Sequence, residues 1–165
     1  MFFVDKKGEV FEVRFGREDD TSRLSEMYEV FDPKAKYQGL PPLKTVPCFA
    51  WIRHLFEIGE NYLAIRNSRI IGHAVLLPDI SVRDGEYLVF VHQDDRGLGV
   101  GTELTRCAVE RAHHFGLRLI WLTVDAANFI AIRLYRKFGF RFCDEACLDG
   151  ERKMALLLAG EGSPC

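Results

Sequence analysis

Little in this chain points to a membrane, a secretory route or a nucleic-acid surface. No apolar run in its 165 residues approaches the roughly 18 that a spanning helix needs. The opening patch Phe2–Val4 gives way at once to Asp5, Lys6 and Lys7, too short for the core of a signal peptide, so a cytoplasmic protein is expected. Charge of one sign is also lacking: 22 Lys and Arg stand against 24 Asp and Glu, and no basic stripe with interleaved aromatics is present, which argues against nucleic acid as a partner. The five cysteines (Cys48, Cys107, Cys143, Cys147, Cys165) form no C-x-x-C pair and have no histidine at finger-like spacing. They read as reduced and structural, and no metal is expected. With no repeat or low-complexity linker, a chain that is 48% hydrophobic and 12% aromatic fits one domain over residues 1–165, its tail from 160 to 165 frayed.

What the sequence does have is a run of glycines at alternate positions. In Val89–Thr102 an apolar stretch breaks at Gly97, Gly99 and Gly101 and then becomes helical. Glycine lets a backbone turn sharply and approach a ligand with no Cβ in the way, and the first turn of a helix offers unpaired N–H groups to an anion. The dinucleotide fingerprint does not fit, because it needs glycine at Thr102 or Leu104, and no Gly-Lys-Ser/Thr of a Walker A loop follows. A phosphate-bearing ligand of another kind is expected on the loop from Arg96 to Thr102.

The periodicities place this loop in an alternating α/β chain. Phe2–Asp5 and Val10–Phe15 read as strands around a turn, and Asp19–Phe31 as a helix with Leu24, Met27, Tyr28 and Phe31 on one stripe. Asp32–Pro47, with five turn-forming prolines and glycines, reads as a loop and Phe49–Ile58 as a second helix. Tyr62–Arg66 and Arg69–Leu77 form a hairpin at Asn67-Ser68, and Glu86–Val91 is the next strand. A helix from Gly99 to Phe115 buries Val100, Leu104, Ala108 and Phe115 and stops at Gly116. The buried strand Leu117–Val124, a helix capped by Asn128 and ended by Gly139, and strands Phe140–Cys143 and Arg152–Leu158 complete the pattern. Strand, helix, strand implies a parallel pair with the ligand at the carboxyl ends.

Arg96-x-x-Gly99-x-Gly101 resembles motif A of the GCN5-related N-acetyltransferase (GNAT) family. Downstream, Asn128, Tyr135 and the closing Gly139-Phe140 resemble motif B, in the right order, and the tightest support runs from Glu86 to Phe140. Gly85-Glu-Tyr-Leu-Val-Phe-Val-His is similar to the bacterial protein-lysine acetyltransferase branch, although that branch does not reliably keep the tyrosine. The resemblance implies an α/β fold with a mixed central sheet of about six to seven strands and about four helices, acetyl-CoA lying between two splayed parallel strands. It implies that the pantetheine arm pairs with Val89, Phe90 and Val91. The diphosphate would rest on Arg96, Gly97, Leu98, Gly99, Val100, Gly101 and Thr102.

The implied reaction is acetyl transfer from acetyl-CoA to a primary amine, on a small molecule, a protein lysine or a protein N-terminus. At a pKa of about 10.4 such an amine is almost wholly protonated near neutrality, so a base is needed. Glu86 resembles in position the catalytic glutamate of the protein-lysine branch; other branches offset the acid by a residue, which makes Asp84 a rival, as is His92, though along a strand Glu86 and His92 lie some 20 Å apart and cannot share a proton. Tyr135 would protonate the leaving thiolate or simply pack in the core, and Asn128 would touch the coenzyme, cap its helix, or both. Tyr28, Phe31, Tyr37, Phe49, Trp51 and Phe56 either line an acceptor pocket or fill the core. The acidic residues Glu18, Asp19, Asp20, Glu26, Glu29 and Asp32 either favour a cationic acceptor or form a solvated face. The first dozen residues carry no assigned role; an added strand and a homodimer interface both fit. A second reading is a non-catalytic sensor of acyl-CoA, and a third a nucleotide-binding regulatory domain.

Overall fold

Local propensity and turn chemistry set out the elements of the computed structural model, which describes residues 1–32, 41–42, 44–146 and 150–160, without the side chains of 45 and 144–146. Eight strands are present among them: β1 (Phe2–Val4), β2 (Val10–Phe15), β3 (Glu60–Arg66), β4 (Arg69–Asp79), β5 (Asp84–Val91), β6 (Leu119–Asp125), β7 (Arg141–Ala146) and β8 (Glu151–Leu157). Four α-helices accompany them: α1 (Thr21–Glu29), α2 (Thr45–Ile58), α3 (Val100–His114) and α4 (Phe129–Lys137). The strands form one sheet in the order β1-β2-β3-β4-β5-β6-β8-β7. The mixed α/β architecture is as expected, with eight strands rather than six to seven. No helix among the described residues is long and apolar enough to cross a membrane.

The chain divides into two compact units, Met1–Val75 with Leu88–Ala108, and Leu76–Tyr87 with Val109–Cys165. In the first, β1 pairs antiparallel with β2 and β2 with β3, so the opening residues do add a strand. Asn67 and Ser68 both take positive φ (48° and 64°), the geometry of a two-residue hairpin turn between β3 and β4. Helix α2 begins earlier than expected because Pro47 falls in its first turn, where a missing N–H leaves no hydrogen bond unmade. Leu24, Met27, Tyr28 and Phe31 meet Ile52, Leu63 and Phe90 in the core, with Trp51 and Phe56 packed against them. Of the proposed pocket aromatics, Tyr28 and Phe31 are therefore core residues and Trp51 and Phe56 lie half-buried against them; Phe49 is exposed, and Tyr37 lies outside the described residues.

Into this core the chain builds a polar relay. The Asn61 amide nitrogen donates to the Leu55 and Gly59 carbonyls, 2.9 Å each, which leaves its oxygen to accept from His73 Nε2 at 2.8 Å. His73 Nδ1 then accepts from the Tyr28 hydroxyl at 2.8 Å. Every member is satisfied only while the histidine is neutral, and burial lowers its pKa to about 3. Gly72, its neighbour on β4, is a close-approach position: a Cβ there would lie 2.9 Å from the Leu104 side chain and 3.1 Å from that of Val100. The bare backbone lets the start of α3 settle against the strand.

In the second unit β5 runs parallel to β6, with Asp84, Gly85 and Glu86 in register with Leu119, Ile120 and Trp121. β6 pairs along its whole length with β8, and β8 with β7. Both helix ends stop as the glycines require. Gly116 (φ 66°) donates to His113 and Leu117 to Ala112; Gly139 (φ 95°) donates to Arg136 and Phe140 to Tyr135, a Schellman closure in each case. Cys143 is disulfide-bonded, which corrects the expectation of five reduced thiols, since spacing along a chain does not fix which sulfurs meet; Cys48 and Cys107 are buried thiols outside any disulfide.

The neutral relay at His73 has a consequence for acid stability. Its folded pKa lies below the unfolded value of 6.5, so the native state refuses a proton that the unfolded chain accepts, and stability is full above pH 6.5 and lost as the pH falls toward about 3. Between pH 6.5 and about 5, urea unfolding of the wild type should lose about 2 kcal/mol relative to His73→Gln, whose own pH profile lacks this component. Parallel profiles for the two proteins would show that His73 is protonated in the fold.

Candidate active site

The glycine loop starts where β5 ends. His92 donates its N–H to Ile71 (2.9 Å), and its Nδ1 caps the short 3-10 turn Gln93–Asp95 by accepting from the Asp94 N–H at 3.4 Å. His92 is buried and holds the loop's entry, a positioning task that sets it apart from the rival base Glu86. Gly97 and Gly99 then take φ of 75° and 109°, conformations that side chains resist, and α3 begins at Val100. A Cβ built on either glycine meets nothing within 4 Å, so their outer face is open.

Hydrogen bonding shows what this turn leaves over. Among the described residues no group accepts from the main-chain N–H of Gly97, Leu98, Gly99, Val100 or Gly101. Thr102 differs: its N–H donates to the Gly99 carbonyl at 2.9 Å, so of its groups the hydroxyl is what it can offer a ligand. A series of free donors at a helix start, where the helix dipole is positive, is a site for an anion. The Arg96 guanidinium is engaged elsewhere. It donates through Nε to the Val91 carbonyl at 2.9 Å and through its terminal nitrogen to the Asp32 carbonyl, and it lies 5.2 Å from the Phe31 ring centroid. It fastens the loop.

A second set of contacts, which sequence reasoning missed, braces the loop. Arg66 bridges Asp5 (2.5 Å) and Asp95 (3.0 Å), and Arg69 reaches the other oxygen of Asp95 at 2.8 Å. The Lys6 N–H donates to Leu98, inside the glycine turn, at 3.1 Å. Burial works to raise the Asp5 carboxyl, but the N–H groups of Glu9 and Lys7 and the Arg66 guanidinium outweigh it and hold the pKa below the usual carboxylate value. Asp5 and Arg66 are 61 positions apart, and Arg66 and Asp95 29, so no local pattern announces them.

The candidate catalytic residues lie in the second unit. Glu86 is half-buried in register with Trp121, makes no ion pair or side-chain hydrogen bond among the described residues, and is pushed up in pKa by burial. That is the perturbation a general base requires. Asp84 stands one turn of the pleat earlier, paired with Leu119. Tyr135 is buried beside Phe140, with ring centroids 5.7 Å apart, and burial raises its pKa, so it stays a protonated donor. Its hydroxyl has no partner, yet the Arg66 Nε is the sole sealed and unsatisfied side-chain atom among the described residues, so the Tyr135 oxygen reaches solvent. Asn128 caps α4 by accepting from Ala131 at 3.1 Å, its amide nitrogen remaining as a donor. Val89, Phe90 and Val91 continue β5 beyond the residues registered with β6.

The acidic residues expected to favour a cationic acceptor read differently. Asp20 is buried against Arg14 at 2.8 Å and so adds no free charge, while Glu18, Asp19, Glu26 and Asp32 are exposed. A groove of about 440 Å³ opens near Phe2, Glu12, Arg14, Arg23, Arg66 and Ser68, with no residue of the glycine loop in its lining. Its guanidiniums are already engaged, Arg14 by Asp20, Arg23 by the Ser68 carbonyl and Arg66 by Asp5 and Asp95.

Comparison with known proteins supplies a family for this arrangement. The acetyltransferase (GNAT) family model matches residues 24–140. An L-methionine sulfoximine/L-methionine sulfone acetyltransferase of Pseudomonas paraeruginosa is 31% identical over 67 residues, 41% of this chain and 39% of that protein. A spermine/spermidine N(1)-acetyltransferase of Bacillus subtilis is 32% identical over 66 residues, 39% of this chain and 43% of that protein. The chain thus matches less than half the length of these curated relatives. Among solved structures, the GNAT domain of S. lividans PAT has a TM-score of 0.79 at 20% identity, covering 96% of both chains. One from Salmonella typhimurium, with its cofactor acetyl-CoA, has 0.73 at 19%, covering 94% of this chain and 98% of that one. These structural likenesses carry the fold, the family model carries the ancestry, and the chain belongs to the acetyltransferase (GNAT) family.

Proposed function

We propose that this protein is an N-acetyltransferase that moves an acetyl group from acetyl-CoA to a primary amine. The observation that carries the proposal is the run of N–H groups from Gly97 to Gly101, free among the described residues, at the head of α3, which favours an anion such as a diphosphate. Each N–H bond to the anion contributes about 1.5–3 kcal/mol. The names of the relatives agree with an amine acceptor, since they act on methionine sulfoximine and on spermine or spermidine. Main-chain groups of Val89, Phe90 and Val91 would align the pantetheine arm, and the Asn128 amide would add a donor.

The chemistry assigns one proton to each candidate. The acceptor arrives as an ammonium with a pKa of about 10.4 and must lose a proton before its lone pair can attack the thioester carbon. Glu86, raised by burial, takes that proton through water. The carbon–nitrogen bond forms as the carbon–sulfur bond breaks, the departing thiolate takes a proton from the Tyr135 hydroxyl, and the acylated nitrogen gives up its second proton, which restores that hydroxyl, while Glu86 releases its own proton to water. Both residues would be idle in a passive sensor.

Three variants test these roles. Gly99→Val should weaken acetyl-CoA binding at least about tenfold by calorimetry, one charge-assisted bond being worth that much, while the protein stays folded; unchanged affinity would remove the loop from the site. Glu86→Gln should lower kcat about 100-fold with acetyl-CoA binding intact and should abolish the acid limb of the pH profile, a limb lying above the ordinary carboxylate range in the wild type. An unaltered profile would exclude Glu86 as the base. Tyr135→Phe should slow thiol release about tenfold or more with stability within about 0.5 kcal/mol of wild type, because the hydroxyl has no protein partner to lose. Full activity would return Tyr135 to a packing role.

A further inference from the structure

We infer that Asp5, Arg66 and Asp95 are positioning residues for coenzyme affinity, the opening hairpin acting as a brace that fixes the geometry of the diphosphate loop. The inference rests on the reading of that loop as the diphosphate site. Asp5 has a side chain with no exposed surface and Asp95 is 3% exposed, and the guanidinium of Arg66 lies between them. One carboxylate oxygen of Asp5 accepts from the N–H groups of Lys7 (2.8 Å) and Glu9 (3.0 Å), while the other meets Arg66. The carboxylate is thereby fixed to the β1–β2 turn through one oxygen and to the loop through the other. Asp95 is the last residue of the 3-10 turn that leads into Arg96 and Gly97, and both of its oxygens are held, by Arg66 and Arg69. The Lys6 N–H takes hold of the Leu98 carbonyl, between the two glycines of positive φ.

Those contacts act where the fold supplies little stiffness of its own. Among the described residues, Gly97 and Gly99 have no side chains to pack, nothing within 4 Å of where their Cβ atoms would be, and no acceptors for their main-chain donors. Donors serve an anion only when they converge on it, and small displacements of positioned groups are costly. Turning the Leu98 carbonyl toward Lys6 orients the peptide unit whose N–H belongs to Gly99. Fixing Asp95 fixes the point from which the turn departs. The paired charges also matter, because Asp95 alone would place a carboxylate next to the diphosphate; Arg66 and Arg69 balance Asp95 and Asp5.

Two substitutions separate bracing from charge. Asp5→Asn keeps the shape of the side chain but weakens the ion pair and makes the neighbourhood more positive, whereas Arg66→Met breaks the same bridge and makes it more negative. Acetyl-CoA binding by calorimetry, well below the unfolding temperature, should weaken about tenfold or more in both, the loss of one charge-assisted bond's worth of alignment, while kcat at saturating acetyl-CoA stays at the wild-type value. A purely electrostatic effect would tighten binding in Asp5→Asn and weaken it in Arg66→Met, and that pattern would overturn the inference. So would wild-type affinity in Asp5→Asn with a lowered unfolding temperature, which would make the brace a matter of stability alone. Should either buried variant fail to fold, Arg69→Met, whose side chain is 55% exposed, decides when binding is measured at low and at high salt: a loss that persists at high salt supports the brace, and unchanged binding or a loss that vanishes with salt overturns it. A wild-type protein that bound no acetyl-CoA would instead bring down the diphosphate reading itself.

Discussion

Backbone N–H groups with no acceptor are the constraint on which this molecule turns. A main-chain donor left unpaired in a folded protein must find water or a ligand, and here successive donors are left so at the head of a 15-residue helix. Free donors and helix dipole act in the same direction, and both favour negative charge. Nothing in the loop's own side chains is needed for that preference. Arg96, the residue that a charge-based reading would favour, is turned to the Val91 and Asp32 carbonyls.

Much of the surrounding structure serves to hold that stretch in place. Gly72 lets Val100 and Leu104 press onto β4, which fixes the start of α3, and His92 closes the end of β5. The brace through Asp5, Arg66 and Asp95 sets the near side of the turn. Aromatic packing of Tyr28, Phe31, Trp51 and Phe90, with centroids 5.4–5.9 Å apart, underlies Arg96. The candidate base and acid depend on a different property. Glu86 and Tyr135 are each shifted by burial and have no side-chain hydrogen-bond partner among the described residues, the state in which a titratable group is available to a substrate.

The sequence disclosed those parts that depend on neighbours along the chain. The glycine turn, the Asn67-Ser68 hairpin, the Asn128 cap and the Gly116 and Gly139 helix stops are local events, and each lies where its residue type requires. The start of α2 was hidden because Pro47 reads as a loop residue unless one knows that it falls in a first turn. Long-range electrostatics were hidden altogether: the partners of Arg66 and Arg96, the relay around His73 and the disulfide at Cys143 depend on which strands and turns meet in space. Aromatics at helical spacing were ambiguous for a related reason, since a core and a pocket leave the same periodicity.

The central claim, that bare main-chain N–H groups at the start of α3 grip the diphosphate of acetyl-CoA, is tested most directly by following those amides themselves. In a nitrogen-15-labelled protein titrated with acetyl-CoA, the amide resonances of Gly97, Leu98, Gly99, Val100 and Gly101 should move together, saturate at one equivalent and become protected from solvent exchange. Resonances of this stretch that stay in place while the protein binds acetyl-CoA, or a titration with no response anywhere, would contradict it.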